Sequence, residues 1–208
     1  MKKIMFSDKF ALTKAVLEGR KTMTRRIAKF DEKPCRSDGC AYCKYRDHDR
    51  GCKWILEHCR FKPGEVVAVA QSYDNIIETI FANDEQWRLG YIKDVEDAHE
   101  RLWWDIPGRN NKMFVYADLM PHRICITDVR IEHMQDITDE DCLREGITRE
   151  WLVPGRWFYH LPNVPVRSKN DVYLSHGEAF AALIDKLSRR RVWERNPYVF
   201  VYSFELVK

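Results

Sequence analysis

The sequence predicts an α+β chain, and three observations carry that reading. Short apolar runs fit for strands alternate irregularly with capped helical stretches, and no βαβ order repeats along the chain. From Tyr198 to Val207 the residues Tyr198, Phe200, Tyr202, Phe204 and Leu206 alternate against Val199 and Val201, which is the period of a strand. A hydrophobic fraction of 45% with 12% aromatics, spread over 208 residues, supplies a core for one domain with sizeable insertions.

Composition narrows the function classes. With 35 basic and 32 acidic residues the net charge is only +3, so any nucleic-acid surface must come from local clustering. No apolar run is long enough to span a bilayer. The N-terminus begins like a signal peptide, but Ser7, Asp8 and Lys9 interrupt any apolar core for one, and the expected place is the cytoplasm. Seven cysteines, an odd number, argue for thiols or a metal rather than a disulfide framework.

Taken in order, Lys3 to Phe6 fits a short strand. Ser7 or Asp8 then caps a helix whose apolar face is Ala11, Leu12, Ala15 and Val16. Gly19 ends it, because glycine takes the left-handed C′ conformation without penalty. Gly19 to Arg26 then packs one lysine, two threonines and three arginines into eight residues. Lys21 and Thr24 stand three apart, a spacing at which an amine and a hydroxyl can face one substrate as base and nucleophile. The plainer alternative is a solvated basic turn.

Between about residues 30 and 60 the hydrophobic period vanishes and cysteine rises. Cys40 and Cys43 form a C-x-x-C knuckle, and Cys35 and Cys52 complete four candidate ligands for one tetrahedral zinc. The alternatives are a flexible insertion with free thiols, or a redox pair. Pro63-Gly64 reads as a turn, and Val66 to Ala70 as a buried strand ending at Gln71. A second insertion, at about residues 74–112, holds a predicted helix over 84–104, whose stripe of Trp87, Tyr91, Val95, Ala98 and Leu102 reads as core packing.

Met113 to Ala117 and Arg123 to Ile131 have strand composition. Thr138 is an N-cap with Asp141 at N3, and the helix stops at Gly146. Glu145 therefore lies on a last turn, where the helix dipole disfavours a carboxylate. That placement suits a functional acid or a plain surface glutamate. The proline- and aromatic-rich stretch from Trp151 to Val172 reads as a long loop. Ser175 to Glu178 is a capping box for a helix burying Phe180, Leu183, Ile184 and Leu187.

Gly19, Lys21, Thr24 and Arg26 together resemble the G-x-K-x-x-T-x-R signature of the ASCH domain, a small β-barrel of the PUA-like superfamily. Further landmarks recur in that domain's order: Pro63-Gly64-Glu65, then Ile137 to Gly146, then Trp193 to Pro197. The longer ASCH proteins of phages and prophages are similar in pattern. The resemblance implies a PUA-like barrel that recognises RNA or a modified nucleoside, with flanking helices and the two insertions. Through the signature loop it resembles bacterial ASCH proteins that hydrolyse N4-acetylcytidine. Their catalytic lysine, threonine and glutamate fall on Lys21, Thr24 and Glu145, with Gly19, Arg25, Arg26 and Gln71 as substrate-binding candidates. Where the family commonly ends its strand in glutamate, this chain has Gln71, which can hold a hydrogen bond but cannot act as a base. The rival class is a non-catalytic RNA- or nucleotide-binding module. Nothing in either reading calls for an organic cofactor.

Were Lys21 a base, it would have to lose a proton at neutral pH. At its ordinary value of about 10.4, roughly one lysine in a thousand is deprotonated. Neighbouring arginines and burial would lower that value, and a nearby glutamate would raise it.

Overall fold

The computed structural model describes residues 1–28, 53–76, 109–188 and 191–207. The four zinc-ligand candidates Cys35, Cys40, Cys43 and Cys52, and the predicted helix over 84–104, lie outside the described residues. Strands and helices mix without a repeating order, as expected for an α+β chain. Among the described residues no sheet closes on itself into a barrel.

The chain divides into two compact units. The first comprises Met1–Phe6 and Val66–Ile124. In it β1 (Lys3–Ile4) runs parallel to β3 (Val66–Val69), pairing Lys3 with Ala68 and Ile4 with Val69. Ala68, Ala70, Ile76, Val115 and Met120 form its described core. The sequence predicts a strand over Met113 to Ala117, and none forms there. The reason lies far away in sequence: the Lys3 amino group collects the carbonyls of Lys112, Met113 and Val115, at 3.1, 2.6 and 2.7 Å. These oxygens are satisfied by a side chain instead of a ladder.

The second unit comprises Ser7–Glu65 and Cys125–Val207. Helix α1 is Leu12–Leu17. Its cap is neither Ser7 nor Asp8 but Ala11, in a left-handed conformation with φ 47°. The two expected caps build the preceding turn, where Leu12 N–H donates to the Ser7 carbonyl and the Thr13 hydroxyl to the Asp8 carboxylate. Gly19 ends the helix with φ 71°, as its position predicts. The chain then enters β2 (Met23–Ile27), and α2 (Lys53–His58) follows later.

The long strand β4 (Arg123–His133) leads to α3 (Asp139–Arg144), where the Thr138 hydroxyl accepts from Asp141 N–H. Strand β8 (Tyr198–Val207) lies between β4 and β2, and pairs antiparallel with β2, with Thr24 opposite Tyr202 and Arg26 opposite Phe200. An apolar strand paired on both sides has no exposed edge to aggregate.

The stretch expected as a loop from Trp151 to Val172 is instead a hairpin of β5 (Thr148–Val153) and β6 (Arg156–His160), with the short β7 (Val172–Tyr173) beside β6. Pro154-Gly155 supplies the turn, with Gly155 at φ 81°. Helix α4 (His176–Ser188) begins where predicted, with Glu178 N–H donating to the Ser175 hydroxyl, but the reciprocal half of the capping box is displaced by one residue, the Glu178 carboxylate accepting from Leu174 N–H. It buries Ala179, Phe180 and Leu183, whereas Leu187 is exposed. A short α5 (Val192–Arg195) precedes β8.

Candidate functional site

Lys21 enters the second unit as the residue between the end of α1 and the start of β2. Its backbone N–H donates to the Ala15 carbonyl at 2.9 Å, which fixes the exit from the helix. Thr22 N–H donates to the Arg144 carbonyl, and Phe204 N–H to the Thr22 carbonyl, so the loop is bound to both α3 and β8. The Lys21 side chain is then only 2% exposed.

The Lys21 ammonium meets Glu145, which is 124 residues further along the chain. It donates to Glu145 Oε2 at 2.6 Å and to the Glu145 backbone carbonyl at 2.7 Å. Glu145 is the C-cap of α3, where carbonyls lack intrahelical donors, so the lysine satisfies the helix end and the carboxylate at once. Gly146 makes the approach possible. It has φ 103°, and a Cβ there would stand 3.2 Å from Leu12 Cδ2 and 3.8 Å from Lys21 Cδ.

Burial pulls the Lys21 ammonium below its ordinary value of 10.5. Glu145 works against this by charge and hydrogen bond, while Arg26 and Arg25 add to the depression. A protonated lysine is thus less favourable here than in water, the condition that a lysine base requires.

Thr24 lies on β2 and is 5% exposed, and its hydroxyl makes no hydrogen bond among the described residues. Strand alternation puts Thr24 and Arg26 on one face of β2, and Met23 and Arg25 on the other. Arg26 is open to solvent yet closely surrounded by protein. Desolvation lowers its guanidinium from the ordinary value, Glu145 opposes that, and the Arg60 charge reinforces it. It stays protonated at any physiological pH.

The sequence reading puts Arg25 on substrate, but its fork points inward. Its NH1 donates to Glu145 Oε1 at 3.2 Å, and its NH2 to Glu132 Oε1 at 2.5 Å and Asp141 Oδ2 at 2.9 Å. Desolvation opposes the charge, but Glu145 and Glu132 more than restore it, and the Arg25 guanidinium is held above its usual value. Arg130 completes the cluster, donating from Nε to Glu132 Oε2 at 2.9 Å and from NH2 to Asp141 Oδ2.

Sequence reasoning missed Arg130, Glu132 and the ionic role of Asp141. The available signal was Arg130 and Glu132 two apart on one strand, hence on one face, with opposite charges. Gln71 belongs to the first unit. It is 4% exposed, and its carbonyl oxygen Oε1 is buried without a hydrogen-bond partner among the described residues. Gly19 holds the turn before Lys21 and has open space around its Cα.

Among the described residues no group of three or more histidine, cysteine or acidic side chains is arranged to hold a metal ion. Among them, too, no helix is long and apolar enough to cross a membrane. Comparison with protein-family models, with curated proteins and with solved structures finds no match to this chain.

Proposed function

We propose that this chain is an ASCH-type, PUA-like protein that recognises a modified nucleoside and hydrolyses the amide of an N4-acetylcytidine-like substrate. The observation that carries the reading is the buried 2.6 Å contact between Lys21 and Glu145, the two residues, 124 positions apart, to which the resemblance assigns the catalytic lysine and glutamate. Its support is increased by a lysine whose proton affinity is lowered, and by a threonine three residues on with an uncommitted hydroxyl among the described residues.

In this reading neutral Lys21 takes the proton of Thr24 Oγ as that oxygen bonds to the acyl carbon. The C–N bond breaks, and the departing cytidine amine receives the proton. Water then cleaves the acyl-threonine ester, releasing acetate and restoring the hydroxyl. Glu145 orients the lysine or carries its proton, and Arg26 holds substrate. Acetate release from N4-acetylcytidine or its free base is the expected result. Lys21→Ala, Thr24→Ala and Glu145→Gln should each lower turnover by about a hundredfold or more with folding intact. Parent protein that never releases acetate ends the hydrolase reading.

The second reading is a non-catalytic RNA- or nucleotide-binding module. The near-complete burial of Lys21 favours it, since a lysine locked to Glu145 also serves as a rigid frame for an exposed Arg26. A binder without turnover should lose affinity steeply with salt. For the segment outside the described residues we read Cys35, Cys40, Cys43 and Cys52 as one structural zinc site with no open position. Elemental analysis of protein purified without chelator should find one zinc per chain, and its absence removes the site.

A further inference from the structure

Glu145 has two carboxylate oxygens, and the fold divides them between two cations. Oε2 accepts from Lys21 at 2.6 Å, and Oε1 from Arg25 at 3.2 Å. Arg25 cannot follow Glu145 if the carboxylate moves. Its side chain is 0% exposed, and Glu132 and Asp141 anchor the same guanidinium at 2.5 and 2.9 Å. Arg130 in turn grips both anchoring carboxylates, and the Phe180 ring lies 5.9 Å from the Arg25 guanidinium carbon. Three cations, Lys21, Arg25 and Arg130, therefore interleave with three carboxylates, Glu132, Asp141 and Glu145.

We propose that Arg25 is a positioning residue: it shares Glu145 with Lys21, fixes where the carboxylate points, and limits how much of its negative charge the lysine feels. Its consequence for turnover rests on the hydrolytic reading above, whereas its consequence for the lysine does not. A planar guanidinium suits the role because it presents donors to several carboxylates in a fixed fork, which a lysine cannot do.

The groups around the lysine set the sign of the effect. Glu145 faces it from the end of α3, and Arg25 and Arg26 face it from β2. Asp139, Asp141 and Cys142 of α3 also lie in the field of this cluster, and Glu132 and Arg130 enter it from β4. Removing Arg25 releases the full charge of Glu145 onto Lys21 and removes a neighbouring cation. Both changes favour the protonated lysine. Neutralising Glu132 does the reverse, because it leaves the Arg25 charge less compensated. Two substitutions in one cluster should thus move one titration in opposite directions.

The experiment follows the Lys21 Nζ titration by NMR in the full chain with isotope-labelled lysine, in Arg25→Met, Glu132→Gln and Arg25→Lys. The expected result is a midpoint that rises in Arg25→Met, falls in Glu132→Gln, and lies between parent and Arg25→Met in Arg25→Lys. With turnover present, kcat at neutral pH falls about tenfold for each unit by which the midpoint rises. KM holds, and the acidic limb of the pH–rate profile moves up with the midpoint. A folded Arg25→Met protein whose Lys21 midpoint equals that of the parent overturns the proposal. Should Arg25→Met not fold, Glu132→Gln decides, and an unmoved or raised midpoint there overturns it equally. Parent protein without acetate release ends the hydrolytic reading while the titration still decides the role of Arg25.

Discussion

Two buried polar places in this molecule are treated in opposite ways. Around Lys21, each carboxylate of the cluster meets at least two cationic donors, and Arg25 and Arg130 are each shared between carboxylates. At the end of β3 the Gln71 carbonyl oxygen is as deeply buried and has no donor among the described residues. The difference teaches what burial demands. Taking charges out of water costs several kcal/mol per ion and is tolerated only where the partners close on one another. A neutral amide costs less to bury, so a fold can leave one of its atoms unanswered at about 1–3 kcal/mol.

The largest effect should come from opening the closed cluster. Among the described residues, Arg25→Met leaves Glu145, Glu132 and Asp141 with three negative charges ion-paired to Lys21 and Arg130, together with Arg144 at 3.8 Å from Asp141. Breaking a buried pair by removing one partner typically costs about 3–5 kcal/mol. Urea unfolding of parent and variant measures it. A loss within the error of the measurement would mean that the cluster is hydrated and that the contrast with Gln71 is one of degree.

The cluster was only half legible in the sequence. Lys21, Thr24 and Glu145 stand out because glycine, cap and helix-end signals flank them, and those signals act locally. The Thr138 cap, the Ser175 cap before α4 and the strand from Tyr198 to Val207 are readable for the same reason. Arg130 and Glu132 were not, because alternating charges on a strand read as a solvated face unless the residues packed over them are known. The β5–β6 hairpin was hidden by Pro154 within it and Pro162 and Pro165 just after it, which outweighed Trp151, Trp157, Phe158 and Tyr159 as strand formers. Met113 to Ala117 failed the other way. Its composition fits a strand, but a distant lysine takes the carbonyls that a ladder needs.

A second, smaller effect separates proton from charge within the cluster. Burial, opposed by Glu145, holds the Lys21 value below 10.5, so from that lowered value up to 10.5 the unfolded chain binds more protons than the folded one. Stability should therefore rise with pH across that window. Cys142 has the opposite sign. Burial, relieved in part by Arg25, pushes its thiol from 9.0 up to about 12, so above pH 9 the unfolded chain ionises first and stability falls. Urea midpoints taken stepwise from pH 7 to 10.5 should show the rise in the parent and not in Lys21→Met. The fall above pH 9 should be weaker in Cys142→Ala. A rise that persists unchanged in Lys21→Met would assign it to another group.

The smallest effect is expected at Gln71, and its sign matters more than its size. Met is close to Gln in length and carries no polar atom, so Gln71→Met removes an orphaned acceptor without opening a large cavity. If Oε1 has no donor in the folded protein, the variant should unfold at an unchanged or higher urea concentration, with a gain of up to about 1 kcal/mol. A loss of that size or more would show that the carbonyl is answered, by an ordered water or by a group outside the described residues. Ligand sharpens the comparison. An acceptor left open for a substrate N–H donor should make the same substitution weaken N4-acetylcytidine binding while leaving the empty protein as stable as before. An acceptor that is merely unsatisfied should leave binding untouched. Thermal shift with and without N4-acetylcytidine, on parent and Gln71→Met together, distinguishes these outcomes. Only the first would give Gln71 a share in recognition, and the second would leave it as a tolerated cost of following β3 with a buried polar residue.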